Sequence, residues 1–98
     1  MDQLNDLDKA FENKVRIGIM SVLSVNDSMS HSELRQLLSL TDGNLASHIS
    51  TLEKRGFISI SKQFLGKKPN TTYAATPSGK IAFVAHLDAL EKILNNIK

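Results

Sequence analysis

Ser30-His31-Ser32-Glu33-Leu34-Arg35-Gln36-Leu37-Leu38-Ser39-Leu40-Thr41-Asp42-Gly43-Asn44-Leu45-Ala46-Ser47-His48-Ile49-Ser50-Thr51-Leu52-Glu53-Lys54-Arg55-Gly56 holds two helix starts and one helix stop, with very few residues between them. Ser30 to Glu33 fits a capping box, in which the serine hydroxyl and the glutamate carboxylate reciprocally satisfy free backbone N–H groups. Leu34, Leu37 and Leu38 supply the apolar face of the short helix that follows. Ser39-Leu40-Thr41 reads as a tight connection, and Thr41 or Asp42 caps the next helix. Leu45, Ile49 and Leu52, at spacings of four and three, are its buried face. Gly56 falls at the C′ position, where left-handed geometry favours glycine, and Lys54 and Arg55 in the last turn complement the helix dipole. Two short helices joined by about three residues have the dimensions of a helix-turn-helix.

Outward from this core the period of the apolar residues keeps changing. Upstream, Leu7, Phe11, Val15, Ile19 and Val22 predict one helix over about residues 6–23, widened by Ile17, Met20 and Leu23. Val25-Asn26-Asp27-Ser28 ends it with turn formers. From Phe57 the pattern alternates, Phe57, Ser59, Ser61 and Gln63 against Ile58, Ile60 and Lys62, which predicts a strand. Leu65 to Asn70 reads as a basic, glycine-containing loop, and Thr71 to Ala75 as a second strand. Thr76-Pro77-Ser78-Gly79 restarts helix, with Thr76 as N-cap and proline at the first helical position. Phe83, Leu87, Leu90, Leu94 and Ile97 then follow spacings of four, three, four and three to the end of the chain. The expected fold is α+β, mainly α: one winged helix-turn-helix domain over residues 1–98, with a three-helix core, a two-stranded β wing and a C-terminal helix.

The composition excludes several classes of protein. The chain has 98 residues, enough for one modest core, with 41 % apolar and 22 % charged side chains. No cysteine is present, so disulfide frameworks and thiolate metal sites are out. The acidic amphipathic start lacks a signal-peptide core, and no run of about 18 apolar residues exists to span a membrane; a reducing cytoplasm is the expected location. Net charge is +2, but residues 1–13 carry −3 and residues 53–68 carry +4. A basic zone of this kind suits a polyanion. His31, His48 and His86 fall in three different elements without metal-ligand spacing, so neither metal nor other cofactor is expected. There is no Gly-x-Ser-x-Gly, no His-Glu-x-x-His and no phosphate loop around Gly66-Lys67-Lys68, so the chain reads as a binding protein and not an enzyme.

Leu40-Thr41-Asp42-Gly43-Asn44-Leu45, His48, Leu52-Glu53, Gly56, Lys62, Phe64, Gly66-Lys67, Pro69, Thr72-Tyr73, Thr76 and Gly79-Lys80 together resemble the small winged-helix transcriptional regulators related to the MarR and ArsR groups. The likeness covers about residues 15–90. It implies DNA binding as a dimer, often with repression. Metal sensing of the ArsR kind is not implied, because the cysteine or clustered histidine ligands are missing. MarR-type proteins are longer, with an extra helical region around an effector pocket, so ligand sensing is not implied and any small-molecule effector stays unknown.

An α-helix fits the major groove of B-DNA, where base edges are distinguishable. The helix near 42–55 is the expected reader, through Asn44, Ser47, His48, Thr51 and Arg55, with Thr41 and Gly43 at its start admitting close approach of a phosphate. Lys67 and Lys68 at the tip of the wing near 64–70, and Lys62 leading into it, are expected on phosphates or in the minor groove; Ser32 and Arg35 are expected on the DNA backbone. Leu4, Leu7 and Phe11, with Leu87, Leu90, Leu94 and Ile97, exceed what a domain this small buries and are expected to form a homodimer interface. The alternative reading is a winged-helix protein–protein interaction module, supported by the same leucines. Tyr73 and Phe64 are the only candidate platforms for stacking single-stranded bases.

Overall fold

The computed structural model describes residue 4 and residues 6–97, with the Ile97 side chain outside that description. Its elements run α1 (Lys14–Val25), β1 (Met29–Ser30), α2 (His31–Leu37), α3 (Asp42–Lys54), β2 (Ile58–Leu65), β3 (Lys68–Ala75) and α4 (Pro77–Ile97). This is the expected winged helix-turn-helix. Ile19, Met20 and Leu23 of α1 meet Leu34 of α2, Leu45, Ile49 and Leu52 of α3, and Ile58 and Tyr73 of the sheet in one buried cluster. Among the described residues no helix is long and apolar enough to cross a membrane.

The local signals act as the chemistry of their residues requires. Ser30 accepts from the Glu33 N–H, and the Glu33 carboxylate accepts from the Ser30 N–H, closing the capping box. The Ser30 N–H first, and then the Ser30 hydroxyl, hold the Glu33 carboxyl below its ordinary value. Thr41, not Asp42, caps α3, its Oγ1 accepting from the Asn44 N–H at 3.1 Å. The connection between α2 and α3 turns at Ser39, whose φ is 55°. Gly56 ends α3 with a φ of 76°.

Five expectations are corrected by partners distant in sequence or by competing local caps. The first helix does not run unbroken from residue 6. Asp8 caps a short 3-10 turn (Lys9–Phe11), and Asn13 starts α1 afresh by accepting from the Val15 and Arg16 N–H groups. Phe11 is not on an interface: only 1 % exposed, it stacks on Phe57 at 5.6 Å and meets Phe83 edge-on at 5.3 Å. Leu37 is exposed, because Leu38 fills the space against Gly18 of α1. The wing is longer than expected. Its strands pair from Ile58 with Ala75 out to Leu65 with Lys68, leaving Gly66-Lys67 as a two-residue turn with positive φ (67°) at the glycine. Finally, β1 adds a third strand, antiparallel to β3 through Met29–Tyr73 and Ser30–Thr72, giving the order β1-β3-β2. Two residues are too few to show a strand period.

One junction fixes the direction of the wing and of α4 together. The Phe57 carbonyl accepts from the Thr76 N–H at 3.0 Å. Thr76 Oγ1 donates to the Gly56 carbonyl at 2.6 Å and accepts from the Gly79 N–H at 2.9 Å. Gly79 is buried against the Phe57 backbone, and a Cβ there would overlap the Phe57 carbonyl. Gly79→Ala is therefore expected to cost about 3 kcal/mol in urea unfolding, as overpacking against backbone that cannot yield. Gly43→Ala, whose Cβ meets nothing within 4 Å, is expected to be neutral or to stabilise by up to about 1 kcal/mol. Equal effects of the two changes contradict this account.

Candidate nucleic-acid interface

With about 100° between successive helical residues, Leu45, Ile49 and Leu52 turn one face of α3 inward. The opposite side exposes Gly43, Asn44, Ser47 and Thr51. The space around Gly43 is open, so nothing on the protein prevents a surface from lying flat against the start of the helix. Thr51 Oγ1 donates back to the Ser47 carbonyl at 3.3 Å, which orients its methyl and oxygen. Lys54 lies on the same exposed face, three residues beyond Thr51 and seven beyond Ser47. The sequence places Lys54 in the helix's last turn and in the basic zone of residues 53–68; its spacing from Ser47 and Thr51 is the signal that sets it on this face.

His48 sits at the edge of this face and is half-buried. Arg16 of α1 donates from Nε to the Ala10 carbonyl at 2.6 Å and approaches His48 Nδ1 with Nη1 at 3.1 Å. Burial first, and then the Arg16 charge, pushes the His48 imidazolium below its ordinary pKa. A guanidinium only donates, so Nδ1 accepts and the ring proton of neutral His48 resides on Nε2. His31 is a bridge between the sheet and α3. Its Nδ1 lies 2.7 Å from the Tyr73 hydroxyl on β3, and its Nε2 lies 3.0 Å from Asp42 Oδ1 at the start of α3. In the neutral ring the phenol donates to Nδ1 and Nε2–H donates to the carboxylate; burial raises the Tyr73 pKa, keeping that phenol protonated. Tyr73 is buried, so it is not a stacking platform. His86, the third histidine, is buried on α4 and accepts from the Asp8 N–H at 3.2 Å.

The two arginines expected at the interface are engaged within the chain. Arg35 Nε lies 3.2 Å from Asp42 Oδ1. Arg55 reaches Asp8 at 2.8 Å with its guanidinium 5.7 Å from the Phe57 ring centre. Exposed pairs of this kind contribute little energy, yet they set where each guanidinium rests. Ser32 is exposed on α2.

Lys62, Lys67 and Lys68 are all exposed on the hairpin. Lys67 is in the turn, whereas Lys68 is the first residue of β3, opposite Leu65 and just inside the tip. No acidic residue occurs between Glu53 and Asp88, while Lys54, Arg55, Lys62, Lys67, Lys68 and Lys80 fall in that interval. The end of α3 and the whole wing thus form one acid-free stretch, joined through Gly56 and Phe57. On α4, Leu87, Leu90 and Leu94 are 45 %, 43 % and 55 % exposed, and Ile81 and Val84 extend the apolar surface toward the helix start. Leu4 is exposed and Leu7 half-buried; the Ile97 side chain lies outside the described residues.

The fold and this arrangement of helix and wing define a class. Residues 15–94 match the family described as the winged helix DNA-binding domain, and the chain belongs to it. Its sequence is 30 % identical over 90 residues to an uncharacterised protein of Methanocaldococcus jannaschii, spanning 92 % of this chain and 98 % of that one. The structure is similar to that of a transcriptional regulator homologue protein from Pyrococcus horikoshii OT3, with a TM-score of 0.90 and 30 % identity over 100 % of this chain and 99 % of the other. It also shares the fold of Staphylococcus aureus MepR, solved as a DNA complex, with a TM-score of 0.75 at 12 % identity over 97 % and 78 % of the two chains.

The state of His48 yields a pH prediction. Because its folded pKa is depressed, the unfolded chain takes up the proton first as pH falls below the ordinary histidine value of about 6.5. The stability from neutral His48 is complete above that value and declines below it. In urea unfolding between pH 7.5 and 5, the wild type should lose more stability than His48→Gln; equal losses refute the assignment.

Proposed function

We propose that this chain binds double-stranded DNA sequence-specifically as a homodimer and regulates transcription in the cytoplasm, as a repressor, by occupying its site. The observation that carries the reading is the continuity of the exposed polar face of α3 with an acid-free, lysine-bearing hairpin. In this reading α3 enters the major groove, where Asn44, Ser47, His48 and Thr51 meet base edges and Lys54 meets phosphate. Thr41 and Gly43 bring the helix start to the backbone, and Ser32 on α2 adds a backbone contact. Lys62, Lys67 and Lys68 carry the wing to the neighbouring backbone and minor groove. Arg35 and Arg55 join only if DNA draws them from Asp42 and Asp8.

Support for the dimer comes from α4. Leu87, Leu90 and Leu94 stay exposed on a single chain, and burying a leucine contributes roughly 1.5–3 kcal/mol. A two-fold pairing through this stripe, with Leu4 and Leu7 beside it, would set two reading helices about 34 Å apart, one turn of DNA. The rival reading, a protein-docking module, draws on the same leucines, which the homodimer already employs.

Titration of the protein with a duplex from its own upstream region at two salt concentrations tests the reading. Tight binding at low salt that weakens steeply with salt is expected, and Lys67→Ala/Lys68→Ala should lower the slope of log K against log salt by about 2 without changing the melting temperature. No binding at low salt, or binding indifferent to salt, overturns it. Leu90→Lys should sediment as a monomer and bind the duplex more weakly; a wild type that is monomeric at tens of micromolar yet binds a palindromic site tightly contradicts the dimer.

A further inference from the structure

The tip of the wing carries apolar side chains that the fold does not use. Phe64 and Leu65 are 73 % and 64 % exposed, although both lie in a regular antiparallel ladder. Phe64 is directly opposite Pro69, so these two side chains share one face of the ribbon; Leu65 is opposite Lys68 on the other. The third strand pairs only with Thr72 and Tyr73, so beyond Thr71 the hairpin projects as two strands alone. Phe64 lies six residues out from Ile58, about 20 Å along the strand from the buried base. Lys62 precedes it by one pleat, and Lys67 and Lys68 follow it across the turn. An exposed phenylalanine backed by a rigid proline and surrounded by unopposed cations matches the chemistry of an apolar wedge on DNA: the lysines hold phosphates while the ring enters a base step.

We propose that Phe64 is a wedge that enters the DNA minor groove beside the segment read by α3, partly unstacks one base step, and bends the duplex. The occupant is set by charge. No acidic residue lies between Glu53 and Asp88, which suits a polyanion. A wedge favours steps that unstack readily, pyrimidine–purine steps above all, so the wing contributes sequence preference through deformability and not through hydrogen bonds. Phe64 is thus a specificity-determining residue, and DNA bending an added activity of the domain. The inference rests on the DNA-binding reading above.

The test uses the full chain and a pool of 40-base-pair duplexes enriched for binding from a random-sequence library, labelled at both ends so that energy transfer reports the bend. Wild type should bend the pool by tens of degrees, roughly 20–90°. Phe64→Ala should lose the bend and bind at least about tenfold more weakly, with the salt slope unchanged, because an uncharged side chain releases no counterions. Phe64→Leu, which keeps an apolar wedge, should retain most of both. Lys67→Ala/Lys68→Ala should behave the opposite way, with a lower salt slope and a residual bend. Wild-type binding without a bend, or Phe64→Ala that binds and bends as wild type does, overturns the wedge while leaving the DNA reading intact. Phe64→Ala that shifts the sedimentation coefficient also overturns it, because Phe64 then belongs to a protein contact. Enrichment of no binding pool at all overturns the DNA reading itself, and the wedge with it.

Discussion

The contact on which the rest of the structure depends is the one between the Phe57 backbone and the first turn of α4. Phe57 is separated from α3 by Arg55 and Gly56 alone and directly precedes the first wing strand, so its carbonyl lies where α3, the wing and the C-terminal helix converge. Thr76 spends both its backbone N–H and its hydroxyl there, on Phe57 and Gly56, and Gly79 allows the helix to press against that carbonyl without a side chain between them. The same residue carries a ring stacked on Phe11, which draws the N-terminal segment over the junction. Because β3 returns to this point through Ala75, the base of the wing has one position relative to α3. A DNA-reading surface made of a helix and a hairpin needs that constraint, since two separately mobile elements would each pay their own ordering cost on binding.

Polar bridges refine what the junction establishes. His31 ties Tyr73 of the wing base to Asp42 at the start of α3, and Arg16 ties the N-terminal segment to His48 at the edge of the reading face. Neither His31 nor Arg16 is on the exposed face of α3. Both act from behind it, fixing the direction in which its groups can donate or accept. Among the described residues, the side chains of Ser32, Asn44, Ser47, Lys54 and the hairpin lysines have no such tie and face solvent.

How much of this is legible in the sequence follows from the range of each interaction. The Ser30 capping box, Gly56 and the Thr76-Pro77 start are set by residues within four positions of one another and read correctly from the chain alone, whereas the cap of α3 is narrowed only to Thr41 or Asp42. Phe11 does not, because its period matches a helix stripe while its true neighbours, Phe57 and Phe83, are far away in sequence. The hairpin length is misread for a related reason: Gly-Lys-Lys-Pro looks like loop, yet cross-strand pairing carries Lys68, Pro69 and Asn70 into the ladder. The roles of the three histidines depend on partners 32, 42 and 78 residues distant, which no local spacing encodes.

In the proposed function one continuous surface, the outer face of α3 together with the projecting half of the wing, meets duplex DNA. Mapping backbone and side-chain resonances of the full chain during titration with a bound duplex tests it most directly. Perturbations are expected to concentrate at Gly43, Asn44, Ser47, Thr51 and Lys54 and from Lys62 to Lys68, with the outer face of α4 unaffected. Perturbations confined to Ile81, Val84, Leu87, Leu90 and Leu94, with α3 and the wing silent, would contradict it.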